Sequence, residues 1–167
     1  MKLRSPFVAL FLLLFMGCEE EKTDPQQLLS WKKLGLDGKT VNQLHLDGTR
    51  LFAATTTGLY VYETSTGNAD FTLAGFANKN VQAIEILSSG EMLASLFDKS
   101  GTETPALYLS NNAGASWQPV EGFFGGDTPE PVIDLHKHPS QPNTLLASGF
   151  GVVAKSADKG KTWTVLY

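Results

Sequence analysis

Hydrophobic and polar residues alternate along short runs of the chain, and these runs recur in the same order. The first run of each unit begins at a valine: V-N-Q-L-H-L from Val41, V-Q-A-I-E-I from Val81 and V-I-D-L-H-K from Val132. A turn follows, and then a second apolar run: L-F-A-A from Leu51, M-L-A-S from Met92 and L-L-A-S from Leu145. Such alternation predicts short β-strands with one buried face, and no long segment has the period of a helix.

Each unit continues with a third run, and two of the units show a clear fourth. The third runs are G-L-Y-V-Y from Gly58, A-L-Y-L-S from Ala106 and G-V-V-A-K-S from Gly151. The fourth runs are S-W-Q-P-V from Ser116 and T-W-T-V-L from Thr162. Four antiparallel strands repeated at intervals of about 40 to 50 residues are typical of β-propeller blades. We therefore predict an all-β fold, a partial β-propeller of about three four-stranded antiparallel blades.

A further run precedes the first complete unit. The stretch S-W-K-K-L, from Ser30 to Leu34, matches the fourth runs and none of the others. Propellers often close by pairing an outer strand from one terminus with inner strands from the other. We therefore predict one extra N-terminal outer strand, and assign residues 30–167 to the propeller blades.

The third and fourth runs are joined by a turn with a fixed spacing of small, polar and aromatic residues. Its two full copies contain Ser110, Asn112, Gly114, Ser116 and Trp117, and Ser156, Asp158, Gly160, Thr162 and Trp163. This spacing resembles the Asp-box, or BNR repeat, of sialidases, sortilin-like receptors, xyloglucan-degrading enzymes and photosystem assembly factors. The stretch from His138 to Gly149 resembles the approach to this box in the xyloglucanase and sortilin branches. In the first unit only a decayed copy remains, which keeps Gly67 and has Phe71 one place late.

The turn motif is predicted to be structural. Asn112 stands where the other copy has Asp158, and an acid that is replaced by an amide is unsuited to proton donation. A side-chain oxygen at this position accepts hydrogen bonds from turn N–H groups. Gly114 and Gly160 are expected to have positive φ, and the tryptophans are expected to bury their rings. We predict no catalytic residue in either copy.

The enzymatic functions implied by the resemblance require residues that the chain largely lacks. Sialidases hold the substrate carboxylate with three arginines, whereas this chain has Arg50 and, near its start, Arg4. An inverting xyloglucanase needs two carboxylates about 6.5 to 9.5 Å apart, and Asp134 has no matched partner in the sequence. We therefore favour a non-catalytic binding or scaffold module for a protein or glycan, with Phe123 and Phe124 as candidate loop contacts. The alternative is part of a sialidase- or xyloglucanase-like propeller glycoside hydrolase.

One set of polar residues occupies the same position in successive units. His45, Glu85 and His136 could converge near a propeller axis, and two imidazoles with a carboxylate are ligands that suit a metal. His138 would add a second imidazole to the strand of His136. The simpler interpretation is a polar channel, and we predict no bound metal or cofactor.

The first residues resemble a bacterial lipoprotein signal. Lys2 and Arg4 precede an apolar run, and the run ends at Met16-Gly17-Cys18, which resembles a lipobox despite Phe15 in place of an aliphatic residue. We predict a signal peptide over 1–17, lipid attachment at Cys18, and an acidic tether over 18–29. The triplet Glu19-Glu20-Glu21 resembles an export tag for the outer face of the cell. These features predict an outer-membrane lipoprotein of the bacterial envelope.

Charge and blade number restrict the partners. The net charge is −4, and removal of residues 1–17 makes it two units more negative, which argues against nucleic acid. Three blades are fewer than the four to eight of a closed propeller. We expect either further C-terminal blades, which we favour, or a homodimer that completes the ring.

Overall fold

The computed structural model describes residues 33–66, 70–88, 90–97, 106–120 and 131–166. The chain divides into two compact units, Met1–Lys33 and Leu34–Tyr167, and the described strands all lie in the second. Within those described ranges the regular structure consists of β-strands, without a helix. The predicted all-β fold is therefore confirmed.

The strands form three four-stranded sheets, each of which is one blade. Blade 1 contains β1 (Val41–Asp47), β2 (Arg50–Thr55), β3 (Gly58–Glu63) and β4 (Thr72–Gly75). Blade 2 contains β5 (Val81–Ser88), β6 (Glu91–Leu96), β7 (Leu107–Ser110) and β8 (Gln118–Pro119). Blade 3 contains β9 (Val132–Lys137), β10 (Leu145–Gly149), β11 (Val152–Ser156) and β12 (Thr164–Val165). Within each blade, each strand pairs antiparallel with the next one in the chain.

Two apolar cores lie between the blades, and blade 2 contributes to both. Between blades 1 and 2, Phe52 and Leu59 pack against the alternate residues Ile84 and Ile86. Between blades 2 and 3, the other side of blade 2 supplies Ala83, Leu87, Leu93 and Leu107. Because successive residues of a strand point to opposite faces, blade 2 is buried on both sides. Its first strand is consequently buried at every residue from Ala83 to Leu87, including the polar Glu85.

The faces of the blades can be named by their neighbours. The front face of a blade is the side toward the preceding blade in the chain, and the back face is the side toward the following one. Ile84 is on the front face of blade 2, and the strand pairing places Leu44 and Leu135 at the same position of blades 1 and 3. The sequence repeat thus corresponds to a structural one: residues at the same position of the repeat have the same strand register and lie on the same face of their blades.

Side chains also connect the first strands of neighbouring blades. Gln43 Oε1 accepts a hydrogen bond from the N–H of Ile84 at 2.6 Å, and Asn42 Nδ2 donates to the carbonyl of Val81 at 2.7 Å. Between blades 2 and 3, Lys137 Nζ donates to the carbonyl of Ile86 at 2.8 Å. These bonds satisfy backbone groups of β5, at the inner edge of blade 2, where no further strand is available to pair with them.

The blades have two distinct ends. The turn end carries the hairpins between first and second strands and the turns between third and fourth strands. The loop end carries the hairpins between second and third strands and the links from one blade to the next. At the loop end the N–H of Val120 donates to the carbonyl of Leu107 at 2.9 Å, and the N–H of Phe97 donates to the carbonyl of Asn80 at 2.9 Å.

The predicted extra strand falls mainly outside the described residues. Ser30, Trp31 and Lys32 are not among them, while Lys33 and Leu34 lie in no strand. The residues of the predicted signal, of the acidic tether and of Cys18 are likewise outside the described ranges. Among the residues that are described, no helix is long and apolar enough to cross a membrane.

Candidate functional site

The candidate site that the sequence defines best consists of two turns at the turn end. The Asn turn comprises residues 110–117 of blade 2, and the Asp turn comprises residues 156–163 of blade 3. Each begins at a buried serine that ends the third strand and closes at a tryptophan just before the fourth. The chain reverses here within a few residues, so most turn N–H groups cannot be paired by a neighbouring strand.

The opening serine organises each turn. In the Asp turn, Ser156 Oγ accepts the N–H of Gly160 at 2.8 Å and the N–H of Asp158 at 3.2 Å. It also donates a hydrogen bond to Asp158 Oδ1 at 2.8 Å. In the Asn turn, Ser110 makes the same three bonds to Gly114 and Asn112. One buried hydroxyl thus satisfies two backbone donors and fixes the acceptor side chain.

The acid and the amide then close the turn in parallel ways. Asp158 Oδ1 accepts the N–H of Thr162 at 2.9 Å, and Asn112 Oδ1 accepts the N–H of Ser116 at 2.9 Å. The second side-chain atom differs: Asp158 Oδ2 accepts the hydroxyl of Thr162 at 2.6 Å, whereas Asn112 Nδ2 donates to Ser116 Oγ at 2.8 Å. Both side chains are engaged entirely within their own turn.

The electrostatics of Asp158 are those of a structural carboxylate. Burial raises its pKa, but hydrogen bonds from Thr162, Ser156 and the N–H of Lys161 outweigh that effect, and the pKa is lowered below its ordinary value. A general acid needs the opposite shift, since it must hold a proton near neutral pH. Proton donation by Asp158 is therefore disfavoured.

The backbone of both turns is left-handed at two successive residues. Gly114 and Gly160 have φ of +87° and +84°, the positive values expected at these positions. The residues before them, Ala113 and Lys159, also have positive φ, at 57° and 62°. Their N–H groups bond to carbonyls of the first hairpin of the same blade, Gly90 and Asn143 respectively, at 2.8 and 2.9 Å. The sequence did not predict these two non-glycine positions.

The tryptophans pack between blades. Trp163 packs against the core between blades 2 and 3, and Trp117 packs against the core between blades 1 and 2, where Phe76 lies 4.8 Å from its ring. The indole N–H of Trp163 donates to the carbonyl of Gly160 at 3.0 Å. That of Trp117 is buried and has no hydrogen-bond partner in the structure as described. Each turn therefore joins its blade to the preceding one.

An ion pair holds the Asp turn to blade 2. Lys159 Nζ donates to Glu91 Oε2 at 2.5 Å, and Ser88 also bonds to this carboxylate. Hydrogen bonds from Lys159 and Ser88 lower the pKa of Glu91. In the Asn turn the position of Lys159 is occupied by Ala113. The residue of blade 1 that corresponds to Glu91 is Arg50, which bonds instead to Asp47 at 2.6 Å.

The three residues proposed as a metal set occupy one register position on three different sheets. His45 pairs with Phe52, Glu85 with Leu93 and His136 with Leu146. The sequence equivalence is thus correct, but packed sheets lie about 10 Å apart, which is too far for three ligands of one ion. Among the described residues no group of three or more His, Cys, Asp or Glu side chains is placed to hold a metal.

The exposed polar residues of β9 form a local pair. Asp134 Oδ2 lies 2.8 Å from His136 Nε2, and its Oδ1 accepts the N–H of Leu135 at 3.0 Å. The expectation that His138 shares the strand face of His136 is wrong, because β9 ends at Lys137. His138 Nδ1 accepts the N–H of Ser140 in the following turn.

An aromatic pair at the loop end was not predicted from the sequence. Phe150, in the hairpin between β10 and β11, is 64% exposed, and its ring lies 6.1 Å from that of Phe97, edge to face. Phe97 follows β6, so the pair spans blades 2 and 3. The signal that could have found it is the G-F-G of residues 149–151, a large apolar residue at a hairpin tip. Phe123 and Phe124 lie outside the described residues, in the link whose flanking Val120 and Pro131 are described.

Comparisons with known proteins establish the fold. No protein-family model and no curated protein matches the chain. An ancestral GH74 enzyme matches with a TM-score of 0.57 and 21% identity, over 74% of this chain and 18% of that one. YCF48 bound to D1 peptide matches with a TM-score of 0.56 and 15% identity, over 75% and 39%.

A third similar structure is the extracellular domain assigned to a hybrid two-component system of B. thetaiotaomicron. Its TM-score is 0.53 at 17% identity, over 71% of this chain and 15% of that one. The chain therefore spans less than two fifths of the length of each of these structures. The GH74 enzyme and YCF48 are β-propellers, so the three blades have the fold of part of a β-propeller.

Proposed function

We propose that the chain is a non-catalytic β-propeller module that binds or scaffolds a protein or glycan at the bacterial cell envelope. The observation that carries this proposal is that Asp158, the acid of the sequence motif, makes its hydrogen bonds within its own turn. Both of its carboxylate oxygens accept turn hydrogen bonds. Since Asn112 makes the corresponding bonds in blade 2, the motif serves the fold.

The loop end supplies the proposed ligand surface. Phe150 is held in a hairpin yet largely exposed, and its contact with Phe97 presents two rings from adjacent blades. Aromatic side chains supply large contact areas with little loss of conformational entropy on binding. A similar structure, YCF48, was solved with a bound D1 peptide, which supports a protein ligand for this module.

Binding can be tested on arrays of envelope proteins and glycans. We expect wild-type protein to be retained without turnover, and Phe150→Ala to weaken retention about 10-fold or more by removing an exposed aromatic contact. Thr56→Ala is the matched control, since Thr56 is exposed in the equivalent hairpin of blade 1. Equal retention of the Phe150 variant would refute the proposed surface. Loss of binding by a folded Asp158→Asn variant would refute the structural role of the motif.

The envelope location rests on the lipobox resemblance at Cys18 and on a similar structure that is an extracellular domain. Membrane fractions of cells that express the full chain provide the test. Cys18→Ser should move the protein from the membrane to the soluble fraction, because it removes the thiol that would carry the lipid. Unchanged partitioning of this variant would exclude the lipoprotein assignment.

A glycoside hydrolase is the second candidate, favoured by the similarity to a GH74 enzyme. Asp134 is the candidate carboxylate, because it is partly exposed on a first strand and paired with His136. Release of reducing sugar from xyloglucan that is abolished by Asp134→Asn would establish this function. Retention without release would support the binding module.

A further inference from the structure

The front face of blade 1 is apolar but uncovered. Leu44 is 56% exposed, whereas Ile84 at the same position of blade 2 is fully buried. Leu46 is 62% exposed, whereas its equivalent Ile86 is 6% exposed. Val41 and Leu73 add to the exposed apolar area. This face therefore has the composition of one that packs against a preceding blade.

The back face of blade 3 is the complementary surface. Leu146 is 40% exposed, while Leu93 at the same position of blade 2 is fully buried. Val153 is also exposed, in the position of the buried Leu107. Each chain thus displays both halves of an interface that it already forms twice internally, between blades 1 and 2 and between blades 2 and 3.

The polar positions of these faces are also compatible. Asp134 occupies the register position of Gln43, whose Oε1 accepts the N–H of Ile84 in the next blade. Leu44 occupies the position of Ile84. A carboxylate oxygen of Asp134 is therefore suitably placed to accept the N–H of Leu44 from an opposing blade 1. Lys155 lies on the third strand, where its long methylene stem lets the ammonium reach the solvent-exposed rim.

Of the two expected ways to complete the ring, the complementary faces favour the homodimer. We propose that the front face of blade 1 binds the back face of blade 3 of a second copy, so that two chains close a six-bladed ring. The two contacts are identical and head-to-tail, and such interfaces form closed rings when the rotation between subunits permits. Six blades lie within the usual range for propellers. The proposal goes beyond ligand binding at the loop end and does not depend on it.

Sedimentation equilibrium of the purified full chain tests the proposal. We expect a mass twice that of the 18.1 kDa chain. Leu46→Glu on the front face and Leu146→Glu on the back face should each raise the dissociation constant about 100-fold or more, because each buries an unpaired carboxylate. An equimolar mixture of the two variants should regain dimers, since one intact front face and one intact back face remain.

The control and the contrary outcomes are equally specific. Val165→Glu introduces the same charge at a comparably exposed residue, which pairs with Ala154 on the opposite side of blade 3, and should remain dimeric. Circular dichroism of each variant verifies folding. A monomeric wild type, a ladder of larger species, a dimer that tolerates either single variant, or a mixture that stays monomeric would each overturn the head-to-tail ring.

Discussion

The Asn turn and the Asp turn pair the N–H groups of the same backbone conformation with different side-chain groups. In both, one side-chain oxygen accepts a hydroxyl and an N–H, with the latter bond at 2.9 Å. The remaining atom reverses its role, because Asn112 Nδ2 donates to Ser116 while Asp158 Oδ2 accepts from Thr162. A hydroxyl can rotate to serve as donor or acceptor. The comparison shows that the turn requires an acceptor at this position and does not require a charge.

The two turns differ more in how they contact the preceding blade. In the Asp turn, Lys159 bonds to Glu91 of blade 2, and Gly160 packs closely against Leu93 of the same blade. In the Asn turn, Ala113 lacks a charged side chain, and the nearest side-chain neighbours of Gly114 are Met92 and Trp117 of its own blade. At these two positions the Asp turn therefore contacts the preceding blade more closely than the Asn turn does, whereas Trp117 of the Asn turn packs closely against Gly75 of blade 1.

The largest expected difference comes from replacing the two glycines. An added Cβ at Gly160 would lie 2.8 Å from Leu93 Cδ2 and 3.2 Å from Leu145 Cδ1, both in the core, while one at Gly114 would meet Met92 Sδ at 3.5 Å. Positive φ is unfavourable for alanine at both sites. We expect Gly160→Ala to lower the free energy of unfolding by about 2 to 4 kcal/mol and Gly114→Ala by about 1 to 2 kcal/mol. Urea denaturation measures both, and equal losses would show that the contact with blade 2 is unimportant.

Removing the opening serines should destabilise both turns by similar amounts. Ser110→Ala and Ser156→Ala each leave a buried glycine N–H without its acceptor. We expect losses of about 1 to 3 kcal/mol in each case, read from the urea midpoint at pH 7. Ser116→Ala is the control for hydroxyl removal, since that serine is exposed and should cost less. A difference between the two buried serines that exceeds their difference from this control would contradict the shared design.

The sequence predicted the parts of this structure that depend on local periodicity. Alternation identifies strands because side chains leave a strand on opposite faces, and Gly114 and Gly160 mark the places where the backbone turns left-handed. The pattern does not say which sheet covers a buried residue. For that reason it predicted a buried ring for Trp163, which is partly buried, but did not place the ring between two blades.

The same limit explains the metal candidates and the aromatic pair. His45 and Glu85 are equivalent in register, as the repeat predicts, but equivalence fixes a direction within each sheet and not a distance between sheets. His138 was assigned to the strand of His136 because the alternation of residue types in the sequence continues past Lys137, although the strand ends there. Phe97 and Phe150 are brought together by the packing of blades, which no local pattern records.

The tryptophans allow a finer comparison of the two turns. Trp163→Phe removes a bond from the indole N–H to the carbonyl of Gly160, whereas Trp117→Phe removes a buried N–H that has no described partner. Both variants lose similar ring volume. We therefore expect Trp163→Phe to cost about 1 kcal/mol more than Trp117→Phe, measured by urea denaturation of the two proteins in parallel. An equal or greater loss at Trp117 would mean that its indole nitrogen is hydrogen-bonded in solution.

Exchange of the acid and the amide should have the smallest effect at neutral pH and the clearest effect in acid. The lowered pKa of Asp158 means that its carboxylate stabilises the fold above the unfolded pKa of about 3.9, and that this stabilisation is lost as the pH falls through the folded pKa. Asp158→Asn should therefore change stability by less than about 1 kcal/mol at pH 7 and flatten its decline between about pH 5 and pH 2.

Asn112→Asp is the matched reverse exchange. Its new carboxylate would accept a hydrogen bond from Ser116, whose hydroxyl rotates to donate, and the acid decline of stability should become steeper. Some decline must remain in Asp158→Asn, because Glu91 also has a lowered pKa and keeps its bonds to Lys159 and Ser88. Urea midpoints measured from pH 2 to pH 7 for the wild type and both variants separate these contributions. If all three proteins showed the same acid slope, the carboxylate of Asp158 would make no charge-dependent contribution, and the two turns would differ only in their contacts with the preceding blade.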